Sequence, residues 1–201
     1  MLSDAGIVEA IERGDISISD FDLNRVETNS YDVILGGYFF EVIWGEDGPW
    51  YVGPVIADVG ERINIPVGGT LLAMTKDRIG MFNNITAMMK SRSTTGREAL
   101  TVCKCAGLGD VGYDNHWTME LSAFTRIGQP FVNVGQKIAQ IAFFQTKSAP
   151  TRPYQGQYRI EDWPLCMIPK KWRHRIIADV VDMPGLPGLQ TCYVDGKVTF
   201  E

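Results

Sequence analysis

Apolar and polar positions alternate along most of this chain in short runs, and glycine, proline and asparagine cut the runs at close intervals. Ser3 stands where a helix cap is expected. Ile7, Val8 and Ile11 then share one face of a short helix that closes near Gly14. Ile16 and Ile18 alternate with Ser17 and Ser19, the pattern of a half-buried strand. Residues 30–43 predict a long strand with a bend at Gly36-Gly37, in which Tyr31 and Asp32 read better as groups fixing the strand to its neighbours than as substrate contacts. Residues 44–60, rich in Gly, Pro and aromatics, predict a loop or hairpin, with Trp44, Trp50 and Tyr51 read as packing groups rather than a pocket lining. Further strands are expected at Arg62–Ile65, Thr70–Thr75, Ile85–Lys90, Ala99–Cys105 and Trp117–Leu121, and a turn then strand over 131–143. Short strands at this spacing predict a mainly β fold, a distorted barrel or jelly roll with one short N-terminal helix. No internal repeat and no second domain is visible.

Composition adds limits. A chain of 201 residues with 45% hydrophobic content suits one soluble domain with a real core. A net charge of −5 argues against general nucleic-acid binding. No run is apolar and long enough to cross a membrane, and the N-terminus lacks the basic-then-apolar order of a signal peptide. Four cysteines without framework spacing fit reduced thiols, so the expected compartment is the cytoplasm.

Candidate chemistry concentrates between Lys90 and Leu121. The stretch opens with a basic, hydroxyl-rich turn, Ser91-Arg92-Ser93-Thr94-Thr95-Gly96-Arg97, whose many donors and small bulk suit a phosphate chain. A second turn, Gly107 to Tyr113, holds Asp110, and Glu120 follows on a strand between Met119 and Leu121. An acid so placed either faces solvent or is buried for a reason. Cys103-Lys104-Cys105 lies on an expected strand, where alternation would send both thiols to one face. A metal there would need two more ligands, with His116 the one histidine nearby, so core cysteines are the better reading.

These residues carry a resemblance. S-R-S-T-T-G-R, A-G-L-G-D-V-G-Y and T-M-E-L, in this order and spacing, are similar to the motifs of the dCTP deaminase branch of the trimeric dUTPase superfamily. M-L-S-D at the start, S-Y-D-V-I-L-G at 30–36 and Y-Q-G-Q at 154–157 extend the likeness over residues 1–158. The resemblance implies a dUTPase-like domain over 1–162, a homotrimer with active sites between subunits, and hydrolytic deamination of dCTP to dUTP. The family's proton-shuttling glutamate falls on Glu120, and its water is held by a serine hydroxyl and a backbone carbonyl that fall on Ser93 and Ala106. Arg92, Ser93, Thr94 and Arg97 would cradle the triphosphate, with Mg2+ travelling on the nucleotide and Arg97 near Glu120. Asp110 would lie by the deoxyribose and Tyr113 would bind nucleotide, while Tyr154 and Gln157 belong to the segment that closes over the ligand. Gln140, in a G-x-x-I-A-Q pattern shared across the superfamily, does not separate deaminase from hydrolase and reads as structural. The zinc deaminase marks H-x-E and P-C-x-x-C do not occur, so zinc is not expected.

The residue types suit the chemistry. One carboxylate can move every proton in cytosine deamination if a partly apolar setting raises its pKa, which Glu120 could satisfy. Asp110 leaves dUTPase or bifunctional activity open, with dUMP and pyrophosphate as products, and Ala106-Gly107 looks more like the bifunctional members. dTTP is a conceivable inhibitor under the resemblance. A catalytically silent nucleotide-binding regulator is the third reading, motivated by departures from the motifs at Ser91, Thr94, Glu98, Gly109, Asn115 and Pro153. Gly109 and Asn115, beside the base pocket, are expected to change backbone freedom there. Residues 163–201 form a divergent extension, expected to pack on or between subunits. Its basic cluster Lys170–Arg175 reads as a solvated face or subunit contact, Pro184–Gly188 as a loop, and its last residues as an edge strand.

Overall fold

The computed structural model describes residues 1–125 and 128–177. The expected loop at 184–188 and the terminal edge strand lie outside these residues. Helix α1 (Asp4–Glu12) is capped as its sequence predicts, the Ser3 hydroxyl accepting from the Gly6 N–H, and it buries Ile7 and Ala10. Strands β1 (Ile16–Ile18) and β2 (Val26–Glu27) lead to the long β3 (Ser30–Gly45), which turns tightly into β4 (Gly48–Ile56). The aromatic-rich stretch is thus a hairpin. After β5 (Arg62–Asn64) come β6 (Thr70–Met81), six residues longer than its pattern predicts, and β7 (Ile85–Ser91). A short helix α2 (Ser93–Arg97), then β8 (Leu100–Thr101), β9 (Leu108–Gly109), β10 (Asp114–Ala123), β11 (Phe131–Asn133) and β12 (Lys137–Gln145) complete the body.

One sheet, mainly antiparallel, organises the molecule in the order β8-β10-β6-β3-β12-β7-β9. β3 is its spine and changes partners at the predicted bend. Residues 31–34 pair with β12, whereas residues 39–42 pair with β6, with a register shift between Leu35 and Phe39. Two glycines permit this crossing. A Cβ on Gly37 would stand 2.2 Å from the Ala57 carbonyl oxygen, and one on Gly36 2.8 Å from Met74 Cγ.

Strand alternation gives the β10-β6-β3 part of this sheet two buried faces. Met119, Ala73 and Phe39 lie on the inner face, within a core that also holds Ile7, Leu71, Leu121 and Phe143. The opposite face presents Leu72, Phe40 and Met74, and it too is covered, by Met167 and Ile168 with Trp163, Trp172 and Ile176 around them. The cover is the first part of the C-terminal extension: single turns at Ile160–Asp162 and Leu165–Met167, a longer turn at Lys170–Arg175, and β13 (Ile176–Ile177), which pairs in parallel with β4. The basic cluster belongs to this cover. Trp172 packs on the β3–β4 turn at Gly48, Arg173 pairs with Asp162 at 2.7 Å, and Arg175 lies over the rings of Trp50 and Trp172.

One expectation fails locally. The strand expected over Ala99–Cys105 is cut to two residues, because Ala99 and Cys105 adopt positive φ (60° and 72°) that end extended structure. Cys103 is therefore buried and Cys105 exposed, and the two thiols do not share a face. Within the expected basic turn 91–97, Ser93–Arg97 forms one helical turn, tied to β12 by the Thr95 hydroxyl donating to the Ile138 carbonyl.

Two buried acids are paired with basic side chains. Arg25 makes a two-point ion pair with the fully buried Asp77, at 2.6 and 3.1 Å, and lies over the Tyr31 ring. Buried Asp32 receives Arg92 and Lys137, each at 3.0 Å. Tyr31 and Asp32 thus hold strands together, as their sequence setting indicated.

Candidate active site

Glu120 sits on β10 directly opposite Leu72 of β6, which in turn pairs with Phe40 of β3. Cross-strand partners share a face, so the carboxylate lies at the end of an apolar row beneath the C-terminal cover. Met119 and Leu121 point the other way, into the main core. The acid is part-buried, with its Oε2 fully buried, because both faces of its strand are covered. Burial pushes the Glu120 carboxyl above its ordinary value, opposed only in part by its own backbone N–H and by Lys104, and Oε2 is buried with no hydrogen-bond partner.

A cavity of about 450 Å3 opens on this carboxylate. Ala106, Leu108 and Asp110 line one side, and Tyr51, Tyr113, Trp117, Tyr154 and Tyr158 supply aromatic walls. Val42, Leu72, Met167 and Pro169 close it with apolar surface. Its size and lining are those of a small-molecule site: mostly aromatic and aliphatic, with a few acids. The aromatic walls brace one another. Tyr113 meets Trp117 edge-on at 5.5 Å and Tyr154 at 5.2 Å, and the Tyr154 hydroxyl accepts from the Tyr158 N–H. Burial raises the Tyr113 phenol well above its usual range, so the ring is neutral at physiological pH.

Two of the motif departures are explained here. Gly109 leaves room for a large neighbour: a Cβ on it would stand 2.2 Å from Trp117 Cη2 and 2.7 Å from Met81 Cε. The indole takes the space a side chain at 109 would need, and its Nε1 donates to the Ile79 carbonyl at 3.1 Å. Asn115 is buried on β10, and its Nδ2 donates to the Tyr158 carbonyl at 3.2 Å and to Cys166 Sγ at 3.3 Å. Its side chain anchors the C-terminal cover, a role its place in the sequence did not indicate.

Of the residues singled out in the sequence, the structure brings Ala106, Asp110, Tyr113, Glu120 and Tyr154 together around one cavity. Arg92, Ser93, Thr94 and Arg97 do not line it. Ser93, Thr94 and Arg97 form an exposed polar turn at α2, and Arg92 is held by Asp32. Gln140 lies on β12 opposite Lys90 and Asp32, away from the cavity. Gln157 accepts from the Lys170 N–H at 2.7 Å, in a separate polar depression with Gln155 and Arg159. Tyr51, Trp117, Tyr158, Met167 and Pro169 are lining residues that the sequence did not disclose, and Tyr51 is more than the packing group expected of it. Among the described residues no cluster of three or more His, Cys, Asp or Glu could hold a metal ion, and His116 instead meets the Thr75 carbonyl and the Trp163 ring. No helix among them is long and apolar enough to cross a membrane.

Fold and site together define a mainly β protein with a part-buried glutamate at an aromatic pocket. The sequence model of the dCTP deaminase-like family matches residues 1–146, and the chain belongs to that family. It is 32% identical over 171 residues to the dCTP deaminase of Natronomonas pharaonis, covering 78% of this chain and 86% of the relative. It is also 32% identical over 162 residues to a dUMP-forming dCTP deaminase of Beutenbergia cavernae, covering 77% and 84%. Among solved structures, the dCTP deaminase of Agrobacterium tumefaciens superposes with a TM-score of 0.56 at 17% identity, over 72% of this chain and 47% of that chain. This chain thus spans about half of that solved chain, and the likeness is one of fold.

Proposed function

We propose that this chain hydrolyses the 4-amino group of dCTP, giving dUTP and ammonia, with Glu120 as the proton shuttle. The observation that carries this reading is a carboxylate raised in pKa by burial, with an unpartnered oxygen, at the wall of a pyrimidine-sized aromatic pocket. Ionised Glu120 takes a proton from water as its oxygen bonds to C4 and delivers it to N3. A second proton passes from the new hydroxyl through Glu120 to the amino nitrogen, and the C4–N bond breaks to release ammonia. The sum is dCTP plus water to dUTP plus ammonia. Lining residue Ala106 offers its carbonyl to the water, as the family resemblance implies, with the Ser93 hydroxyl of a neighbouring subunit as its partner.

The phosphate-binding set Arg92, Ser93, Thr94 and Arg97 stands apart from the base pocket of the same chain. That separation supports a site completed between subunits of a homotrimer, one supplying the pocket and another the polar turn. Mg2+ would travel with the triphosphate oxygens, as the family resemblance implies. Bound there, it would neutralise phosphate charge. dTTP, a pyrimidine deoxynucleotide of the same charge, would compete for the pocket.

A specific observation favours a second reading beside the first: Asp110 lines the same cavity as Glu120. It stands where it could orient water at the α-phosphate, giving dUMP and pyrophosphate, and relatives bearing either name are equally similar to this chain. Product chromatography after incubation with dCTP, and separately with dUTP, in magnesium decides between them. dUTP as the product, lost in Glu120→Gln, is expected of the deaminase. dUMP and pyrophosphate, reverting to dUTP in Asp110→Asn, mark the bifunctional enzyme. Binding of both nucleotides with neither consumed would refute both and leave a regulator.

A further inference from the structure

Part of the lining of the pocket, Tyr154, Tyr158, Met167 and Pro169, comes from beyond the family-matched residues 1–146. Met167 is 3% exposed and belongs to one buried cluster with Leu72, Phe40, Met74 and Tyr51. Its place is secured from several sides. Asn115 holds Tyr158 and Cys166, Arg173 pairs with Asp162, and β13 pairs with β4. The thioether is therefore a built part of the cavity and not a loose cover.

We propose that Met167 determines which substituent a pyrimidine may carry at C5, and that the substrate class includes 5-alkyl deoxycytidine triphosphates. This rests on the deaminase reading. Placing C4 and N3 at the Glu120 carboxylate leaves C5 as the other neighbour of C4. The groups in the same row as Glu120 are Leu72 and Phe40, with Met167 lying over them, and none of these side chains carries a hydrogen-bonding group. An apolar wall matches the C–H or C–alkyl edge of the ring and not the N3–O2 edge, which needs polar partners. Methionine is unbranched and adaptable, so it can yield to a methyl group where a rigid side chain would not.

The test is the ratio of kcat/KM for 5-methyl-dCTP to that for dCTP, measured on the full chain. Wild type is expected to turn over both. Met167→Ala should raise the ratio about tenfold, and Met167→Phe should lower it about tenfold or more, the range one methylene commands in an apolar pocket. Met167→Leu, close to volume-conserving, provides a third point between them should either extreme variant fold poorly. A ratio constant within twofold across the folded variants would overturn the proposal. Titrations of both nucleotides against the Glu120→Gln form, followed by Trp117 fluorescence, give the same comparison without turnover. If wild type deaminates neither nucleotide, it is the deaminase reading that fails, and the binding ratio with and without Met167→Ala still decides what Met167 does.

Discussion

Substituting Gly109 by alanine tests the steric trade between positions 109 and 117. The added Cβ would meet Trp117 Cη2 at 2.2 Å, Trp117 Cζ2 at 2.5 Å and Met81 Cε at 2.7 Å, all inside contact distance. Met81 is flexible; the indole is not, being held by its bond to Ile79 and by the Tyr113 ring against it. Overpacking of a tight core costs about 1–3 kcal/mol, and a displaced indole also gives up a hydrogen bond of about 1 kcal/mol. Gly109→Ala should therefore lose about 2–4 kcal/mol. Trp117→Ala alone should lose about 3–5 kcal/mol through the cavity it leaves. In the double variant the clash has no partner, so the losses should fall short of additivity by about 1–3 kcal/mol. Urea unfolding at one fixed protein concentration measures all four corners, the concentration being held because assembly adds to apparent stability. Because Trp117 is a wall of the pocket, kcat/KM for dCTP should fall in each single variant. Additivity within 0.5 kcal/mol, or a Gly109→Ala chain as stable as wild type, would refute the argument.

Other consequences follow from burial and pairing. The Glu120 carboxyl is raised above 4.5 by burial, so stability falls as pH rises from 4.5 through its folded pKa, and the penalty is absent below 4.5 and complete above that pKa. Glu120→Gln should thus raise Tm at pH 8 while abolishing deamination, and the gain should shrink to nothing by pH 4; an equal gain at both pH values would contradict the assignment. Asp77→Ala strands the buried Arg25 guanidinium and should cost about 3–5 kcal/mol in urea unfolding, whereas removal of the exposed Lys76–Asp20 pair should cost under about 1 kcal/mol. Asn115→Ala removes both bonds to the C-terminal cover, and limited proteolysis should then cut faster within residues 158–177 while residues 1–146 stay resistant; unchanged cleavage would show that the cover holds without this anchor.

Local information was enough for much of the fold. The capped first helix, the bend at Gly36-Gly37 and the Gly/Pro/Asn-punctuated strands all depend on φ/ψ freedom and on the two-residue period, which neighbouring residues set. It was less reliable where single residues take unusual backbone conformations. Positive φ at Ala99 and Cys105 broke a strand whose β-branched and apolar composition looked sound, and with it the expected shared face of two cysteines. The β6 strand outran its pattern because β10 and β1 pair with its far half, through Asp114, Asn115 and Ile16 to Ile18. Long-range pairing of that kind leaves no local mark.

The candidate site divides along the same line. The sequence alone determined the acid, the turn around Asp110 and Tyr113, and the polar turn at 91–97, because reactive residue types in fixed order are a one-dimensional signal. It also indicated that Glu120 lies opposite Met119 and Leu121, because alternation along a strand is local. Only the tertiary structure decided whether that opposite face is wet or dry. The answer depends on residues 158–177 folding back over β3, β4 and β6, nearly forty positions along the chain from Glu120 at their nearest. Burial is a property of what covers a residue, and for Glu120 that cover comes from a segment with no motif to announce it.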